Sequence, residues 1–303
     1  MMIMKKLFPL LAALSVGVLL LLRPEASAQA VREGLGLCAR TVIPSLFPFF
    51  AVVSLLLQLG LAERLQGVCA PFMGPMFHLR GICALPLLTG LLGGYPSGAK
   101  TAADLYTQGQ ITRREAELLL GFCDNCGPAF LLGYVGAGIL GDTRAGTYLY
   151  LIHTAAALLA GMLLCRFSRD RGPALLRSSL PVKAVPFPQA LTSSVSGAAA
   201  STINICAFVV LFRVLAALPP VQLPALVLGA LEMVTGTAAL SPGRAGWIAA
   251  AAIVGWGGLS VHCQALAVTA PAGLSFRWHW AGKAVQAGLS ALLAAGAAAL
   301  VWH

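Results

Sequence analysis

The chain has 303 residues, 58% of them hydrophobic and only 10% charged, against about 25% charged in a soluble domain. At a mean hydropathy of +0.85 it carries more apolar surface than one soluble core can bury, so lipid must solvate much of it and a water-soluble enzyme is excluded. The excess of 20 Lys and Arg over 10 Asp and Glu does not indicate a nucleic-acid partner. Arg166, Arg169, Arg171, Arg177 and Lys183 sit between apolar spans, as in cytoplasmic loops, and no soluble basic surface with interleaved aromatics accompanies them.

Lys5 and Lys6 precede an apolar run over 7–22, and Ala26-Ser27-Ala28 follow. The pattern fits a secretory signal or a retained first helix. Arg23-Pro24-Glu25 separates the run from the small residues and many spans follow, which favours retention; either reading starts the N-terminus in the cytoplasm. The expected units are a transmembrane helix over 1–30, a first repeat over 31–165, a basic cytoplasmic linker over 166–188 and a second repeat over 189–303.

The first repeat contains apolar segments at about 35–60, 81–99, 116–141 and 145–165, and the second at about 190–217, 223–241, 245–270 and 282–302. Two sets of four imply an internal duplication. In each set the second segment is unlike a lipid-facing span: 81–99 holds Gly90, Gly93, Gly94, Pro96 and Gly98, and 223–241 holds Gly229, Glu232 and Gly236. Irregular backbone at membrane depth survives only where protein or a water-filled cavity satisfies it, so both are expected to be re-entrant hairpins. Each set then crosses three times. Because three is odd, the second set is inverted, the plan of secondary transporters. This topology places Thr107 to Glu117 and the loop with Arg277, His279 and Lys283 inside, and Asp142-Thr143-Arg144 outside. Ser97 to Asn125 spans 28 residues and Thr235 to His262 spans 27, a parallel that supports the duplication, although any two helical hairpins give similar spacing.

Tyr95, Ser97, Gly98 and Lys100 lie on the glycine-rich turn of the first hairpin, where free N–H groups and a nearby cation would favour an anionic ligand; the alternative is a tight turn whose Lys100 reaches the headgroups. The same run misses the P-loop spacing by one residue, Ala99, and no strand leads into it. Gly136, Gly138 and Gly141 match a dinucleotide fingerprint but suit helix packing instead. Thr112-Arg-Arg-Glu115 reads as a capping box. About three turns later Pro128 should break the helix in mid-membrane, setting Asp124 and Asn125 at the level of a substrate. A carboxylate at that depth costs about 3 kcal/mol, so Asp124 and Glu232 need partners or water. Either could instead be structural, a hydrogen-bonded break residue or an anchor to its own hairpin.

In the second repeat Gly255 to Gly258 loosen the equivalent helix, and Ser260, His262 and Gln264 follow; His262 serves equally as a ligand or as an interhelical donor. Thr235 lies at the second hairpin. Asn204, aligned with Ser45, together with Pro44 and Pro48, suggests that the opening helix of each repeat is irregular. The eight cysteines read as buried hydrophobes, without a required disulfide. Cys123 and Cys126 lack the second pair or nearby His of a zinc site, so neither metal nor cofactor is expected.

The segments Arg23-Pro-Glu-Ala-Ser27, Val42-Ile-Pro-Ser-Leu-Phe-Pro-Phe-Phe50, Gly94-Tyr-Pro-Ser-Gly-Ala-Lys100, Gly109-Gln-Ile-Thr-Arg-Arg-Glu-Ala-Glu117 and Gly257-Gly-Leu-Ser-Val-His262 together resemble sporulation integral membrane proteins of the YlbJ type, with paired nucleoside-recognition or Gate domains. The resemblance implies a relative of concentrative nucleoside transporters, in the cell membrane or outer forespore membrane, moving dipicolinic acid during endospore formation. Its partners would be the lipid bilayer, a small-molecule anion, a coupling H+ or Na+, and further copies or other sporulation membrane proteins. The residues themselves lead to an all-α polytopic membrane protein that transports rather than catalyses. Lys100 and Ser97 would hold a carboxylate, and Asn125, Asn204, Glu232 and His262 would orient a ring or couple ion movement. A nucleoside transporter and a non-transporting sporulation scaffold are the rival readings.

Overall fold

The computed structural model describes residues 2–168, 185–219 and 221–301. Arg169, Arg171, Arg177 and Lys183 of the expected linker lie outside them. All regular structure among the described residues is helical, and the chain is an all-α polytopic membrane protein. Helix α1 (Met2–Leu22) ends where Pro24 opens α2 (Pro24–Leu37), the two meeting at 100°. Leu21 is 82% exposed, and Leu10, Leu14 and Leu22 are also open, a face suited to acyl chains. A π-helical turn at Cys38–Val42 leads into α3 (Ile43–Gln58), which contains Pro48. Irregularity was expected here and occurs. Its counterpart in the second half does not: α9 (Phe187–Ala217) runs unbroken through Asn204, because no proline interrupts its backbone bonds there.

The expected crossings at 145–165 and 282–302 each lie within one helix, whereas those at 35–60, 116–141 and 245–270 are cut into shorter pieces. Among the described residues three helices are long and apolar enough to span a membrane, or up to five if each bent pair is one span, against seven expected crossings. The difference arises where Pro and Gly end helices. Helix α4 (Leu61–Phe77) was missed by periodicity, because Arg64, Pro71 and Pro75 dilute its apolar pattern. It bends at 104° into the first hairpin, which joins α5 (Ala84–Gly93) to α6 (Ser97–Thr107).

Helix α7 (Arg113–Leu119) starts at the expected capping box, with the Thr112 hydroxyl accepting from the Glu115 amide and the Glu115 carboxylate accepting from the Thr112 amide. The same carboxylate meets Arg80 at 2.6 Å. Burial alone would push the Glu115 carboxyl up, but the Arg80 and Thr112 hydrogen bonds outweigh it and hold the carboxyl below its ordinary value of 4.5. A lowered folded value stabilises the fold above the unfolded value and loses that contribution as pH falls through the folded one. Arg80→Ala is therefore expected to cost about 2 kcal/mol at pH 7 and progressively less below the ordinary value of 4.5, as thermal melts in detergent at a series of pH values would show.

After α7 the chain unwinds over 120–128 before a π-helical segment, Ala129–Ile139. Helix α8 (Thr143–Phe167) is continuous. In the second half α10 (Ala225–Leu231) and α11 (Met233–Ala238) form the second hairpin. Helices α12 (Arg244–Trp256) and α13 (Gly258–Thr269) are parts of one span broken at Gly257. Helix α14 (Arg277–Val301) closes the described chain. Two apolar clusters hold these pieces. One gathers Phe77, Leu87, Ala99, Leu118 and Phe122 around the first hairpin, and the other gathers Leu46, Phe130, Val234, Trp247 and Val254 around the second.

Candidate functional site: a chamber between two hairpin tips

Both hairpins close because glycines let their arms touch. A Cβ built on Gly98 would lie 3.1 Å from the Gly90 Cα, and one on Gly236 would lie 2.2 Å from the Gly229 Cα. Each hairpin also sits on the break of the helix that follows it. Methyl groups at Gly90 and Gly98 would fall 1.7 Å and 2.0 Å from the Cys123 carbonyl oxygen, and one at Gly258 would fall 3.0 Å from the Gly229 oxygen and the Met233 nitrogen. Gly258, at φ +81, also needs a backbone conformation that only glycine adopts cheaply. The halves interlock at the tips. The Tyr95 hydroxyl donates to the Val254 carbonyl at 3.4 Å, and the Tyr134 hydroxyl donates to the Val234 carbonyl at 3.2 Å.

A small chamber of about 30 Å³ lies where the two tips meet the first break and α13. Gly94 and Tyr95 line it from the first tip, Glu232, Met233 and Val234 from the second, Cys126 and Gly127 from the first break, and Val261 and Gln264 from α13. That is room for a water and too little for a drug-sized solute. Beside it a cleft of about 760 Å³ opens between α3, the first hairpin and α9, with Tyr95, Ser97, Lys100, Gln58, Ser201 and Asn204 among its lining residues. Phe50 and Tyr95 line both spaces. A second cleft of about 530 Å³, between α2 and α9, presents Arg32, Arg40 and Arg213 against Glu33.

The residues expected at one site fall into three groups. Tyr95, Glu232 and Gln264 reach the chamber, while Ser97, Lys100 and Asn204 join Tyr95 in the cleft. Lys100 pairs with Asp104 at 2.6 Å, both side chains being at least half exposed. Glu232 caps its own hairpin, its two oxygens accepting from the Val234 amide at 2.9 Å and the Thr235 amide at 2.6 Å. Gly98 is a packing contact. Thr235 and Ser260 are buried, and their hydroxyls have no hydrogen-bond partner. Gly136, of the rejected dinucleotide fingerprint, packs against Gly146.

Asp124, Asn125 and His262 belong to a third group, a buried polar network whose centre the sequence reading misplaced. Lys283 and His279 were expected in a cytoplasmic loop. Instead both lie on α14 and are fully buried, because His279, Lys283, Gln286 and Ser290 recur at i, i+4, i+7 and i+11 and form one inward stripe. That polar stripe on an apolar helix was the signal that could have found them. The Lys283 ammonium donates to the Asp124 main-chain carbonyl and to the Gln286 Oε1 at 2.9 Å. Gln286 in turn donates to the Asn125 Oδ1 at 3.0 Å, and the Asn125 amide donates to the Phe122 carbonyl at 2.7 Å. The unwound stretch after α7 is thus held by a helix some 160 residues away.

A family model described as nucleoside recognition, the Gate domain, matches residues 39–169, the stretch that contains the first hairpin and the first break. The sporulation integral membrane protein YlbJ of Bacillus subtilis (strain 168) is 34% identical over 165 residues. Over that stretch the chain is similar to YlbJ. The aligned stretch is 54% of this chain and 40% of that protein, so the chain spans well under half the length of the curated relative it matches. No solved structure matches. The likeness agrees with an integral membrane protein, and the stretch that the Gate model matches contains the broken-helix geometry described above.

Proposed function

We propose that the chain transports a small organic anion across the membrane, dipicolinic acid being the solute whose chemistry suits it, and that the chamber between the hairpin tips is where the solute passes. One observation carries this reading: a small chamber lined by both hairpin tips, the first break and α13 lies beside a large cleft, and Phe50 and Tyr95 line both spaces. A catalytic centre would instead need a nucleophile, a base and an orienting group in mutual reach. The two halves form inverted repeats on this account, and the second cleft supplies the anion bias through three guanidinium groups against one carboxylate. The relative's name places it in sporulation; the outer forespore membrane, with the N-terminus in the cytoplasm, is the location that follows for this chain. Gln264 and Asn204 are neutral contacts that suit a nucleoside, the solute named by the Gate description.

The test is uptake of labelled dipicolinate beside a labelled nucleoside by liposomes containing the purified chain. Glu232→Gln removes one of two acceptors at the second tip. It is expected to lower dipicolinate uptake about ten-fold, as fits a lost hydrogen bond to a charged group. Uptake of nucleoside alone would replace the solute. Unchanged function in Glu232→Gln and Lys100→Ala, with no flux of either solute, would favour the scaffold.

A further inference from the structure

The buried polar network contains groups that its hydrogen bonds do not satisfy. Asp124 is 0% exposed, no side chain hydrogen-bonds its carboxylate oxygens, and the donor that faces them is the Ala99 amide. The nearby ammonium of Lys283 is bonded to the main-chain carbonyl of Asp124 and to Gln286 rather than to the carboxylate. A buried charge without a bonded side-chain partner is among the costliest arrangements in a protein, and such a group in a membrane protein is a functional candidate by default.

The histidines around the pair have their ring hydrogens assigned by their partners. His153 accepts at Nε2 from the Cys126 amide at 3.1 Å and lies 3.3 Å from the Gln286 amide, so its hydrogen is on Nδ1. His279 donates from Nδ1 to the Leu120 carbonyl at 3.0 Å, and with a neutral ring its Nε2, 2.8 Å from His262 Nδ1, accepts from it. His262 Nε2 is left as a buried lone pair without a donor. The groups facing Asp124 and Lys283 are therefore Cys123 and Cys126 on the unwound stretch, Tyr95 and the Ala99 amide on the first hairpin, His153 on α8, His262 on α13 and His279 on α14. Lys283 is the member of this set whose nitrogen bonds the Asp124 main chain.

We propose that Asp124 is a proton-binding site that couples the movement of the transported solute to a proton gradient, with Lys283 as the counter-charge that drives proton release. This rests on the transport reading above. A proton from water converts the carboxylate to a carboxylic acid, which removes the uncompensated buried negative charge; release to water on the other side restores the carboxylate beside the ammonium. No bond other than O–H forms or breaks. Sodium fits the same place poorly, since a fully buried ammonium would repel a metal cation. The site also has a mechanical link to the chamber. Asp124 lies between Cys123, which supports Gly90 and Gly98 of the first hairpin, and Cys126, which lines the chamber, so a change of charge at Asp124 acts on both.

Two measurements on the full chain in liposomes test this. The first is the pH-difference infrared spectrum without solute. It should contain a protonated-carboxyl band that Asp124→Asn removes; absence of the band, or its persistence in the variant, overturns the site whether or not the chain transports. The second compares dipicolinate accumulation under imposed pH and sodium gradients with exchange of labelled for unlabelled dipicolinate. Wild type should accumulate solute at least ten-fold more with the pH gradient and respond little to sodium. Asp124→Asn should lose that accumulation while still exchanging solute. Should that variant not fold, the double variant Asp124→Asn, Lys283→Met, which leaves neither charge unpaired, is expected to lack the infrared band and to exchange solute without gradient-driven accumulation. Accumulation driven by sodium, or by the pH gradient equally in wild type and variants, overturns the coupling role. If wild type neither accumulates nor exchanges solute, the transport reading fails and the coupling role with it, while the infrared band alone decides whether Asp124 binds a proton.

Discussion

Replacing Gly90 by Ala is expected to prevent the chain from accumulating in folded form. The added methyl group would lie 1.7 Å from the Cys123 carbonyl oxygen, less than half a normal contact distance. Neither backbone can move aside, since Gly90 also faces Gly98 across the hairpin and the Cys123 amide is held by the Leu119 carbonyl. Overpacking of ordinary side chains costs about 1–3 kcal/mol, and a backbone-to-backbone clash exceeds that, against a total stability of about 5–15 kcal/mol. Gly133→Ala, where nothing lies within 4 Å of the new methyl group, should be tolerated. Monodispersity of both variants on a sizing column in detergent separates a specific docking contact from a general intolerance of helix substitution.

Lys283→Ala is expected to destabilise the folded chain for a different reason. It removes the donor shared by the Asp124 carbonyl and the Gln286 Oε1 and leaves the Asp124 carboxylate without its counter-charge. Breaking a buried charged contact on one side costs about 3–5 kcal/mol. The double variant Asp124→Asn, Lys283→Met removes both charges and should recover much of that loss, because the penalty belongs to the unpaired survivor. Thermal unfolding of the two variants in detergent measures the difference. If the single variant melts with wild type, the ammonium is not holding the unwound stretch.

Much of the architecture was readable from local rules. The capping box at Thr112 and Glu115, the break before Pro128, the break at Gly257 and both glycine hairpins follow from backbone chemistry that a few residues determine. Position in the fold was harder to read. Lys283 looked like a loop charge because hydropathy counts residues along the chain, whereas its burial depends on α14 packing beside a stretch some 160 residues earlier. Glu232 and Lys100 looked available to a ligand because the sequence hides their short-range partners, the Val234 and Thr235 amides and Asp104. Helix α4 escaped notice since its proline and arginine content lowers the periodic signal, although its bend into α5 is what delivers the first hairpin.

The account depends on the chamber being the solute path, and Cys126 is a native probe of it. Its thiol lines the chamber and is 1% exposed, and all eight cysteines are free. The decisive measurement is dipicolinate uptake before and after treatment with a small hydrophilic thiol reagent, in wild type and in Cys126→Ser, each scaled to its own starting rate. Wild type should lose most of its uptake, dipicolinate should slow that loss, and Cys126→Ser should resist the reagent. Full uptake by protein whose Cys126 is completely modified would contradict the chamber as the path.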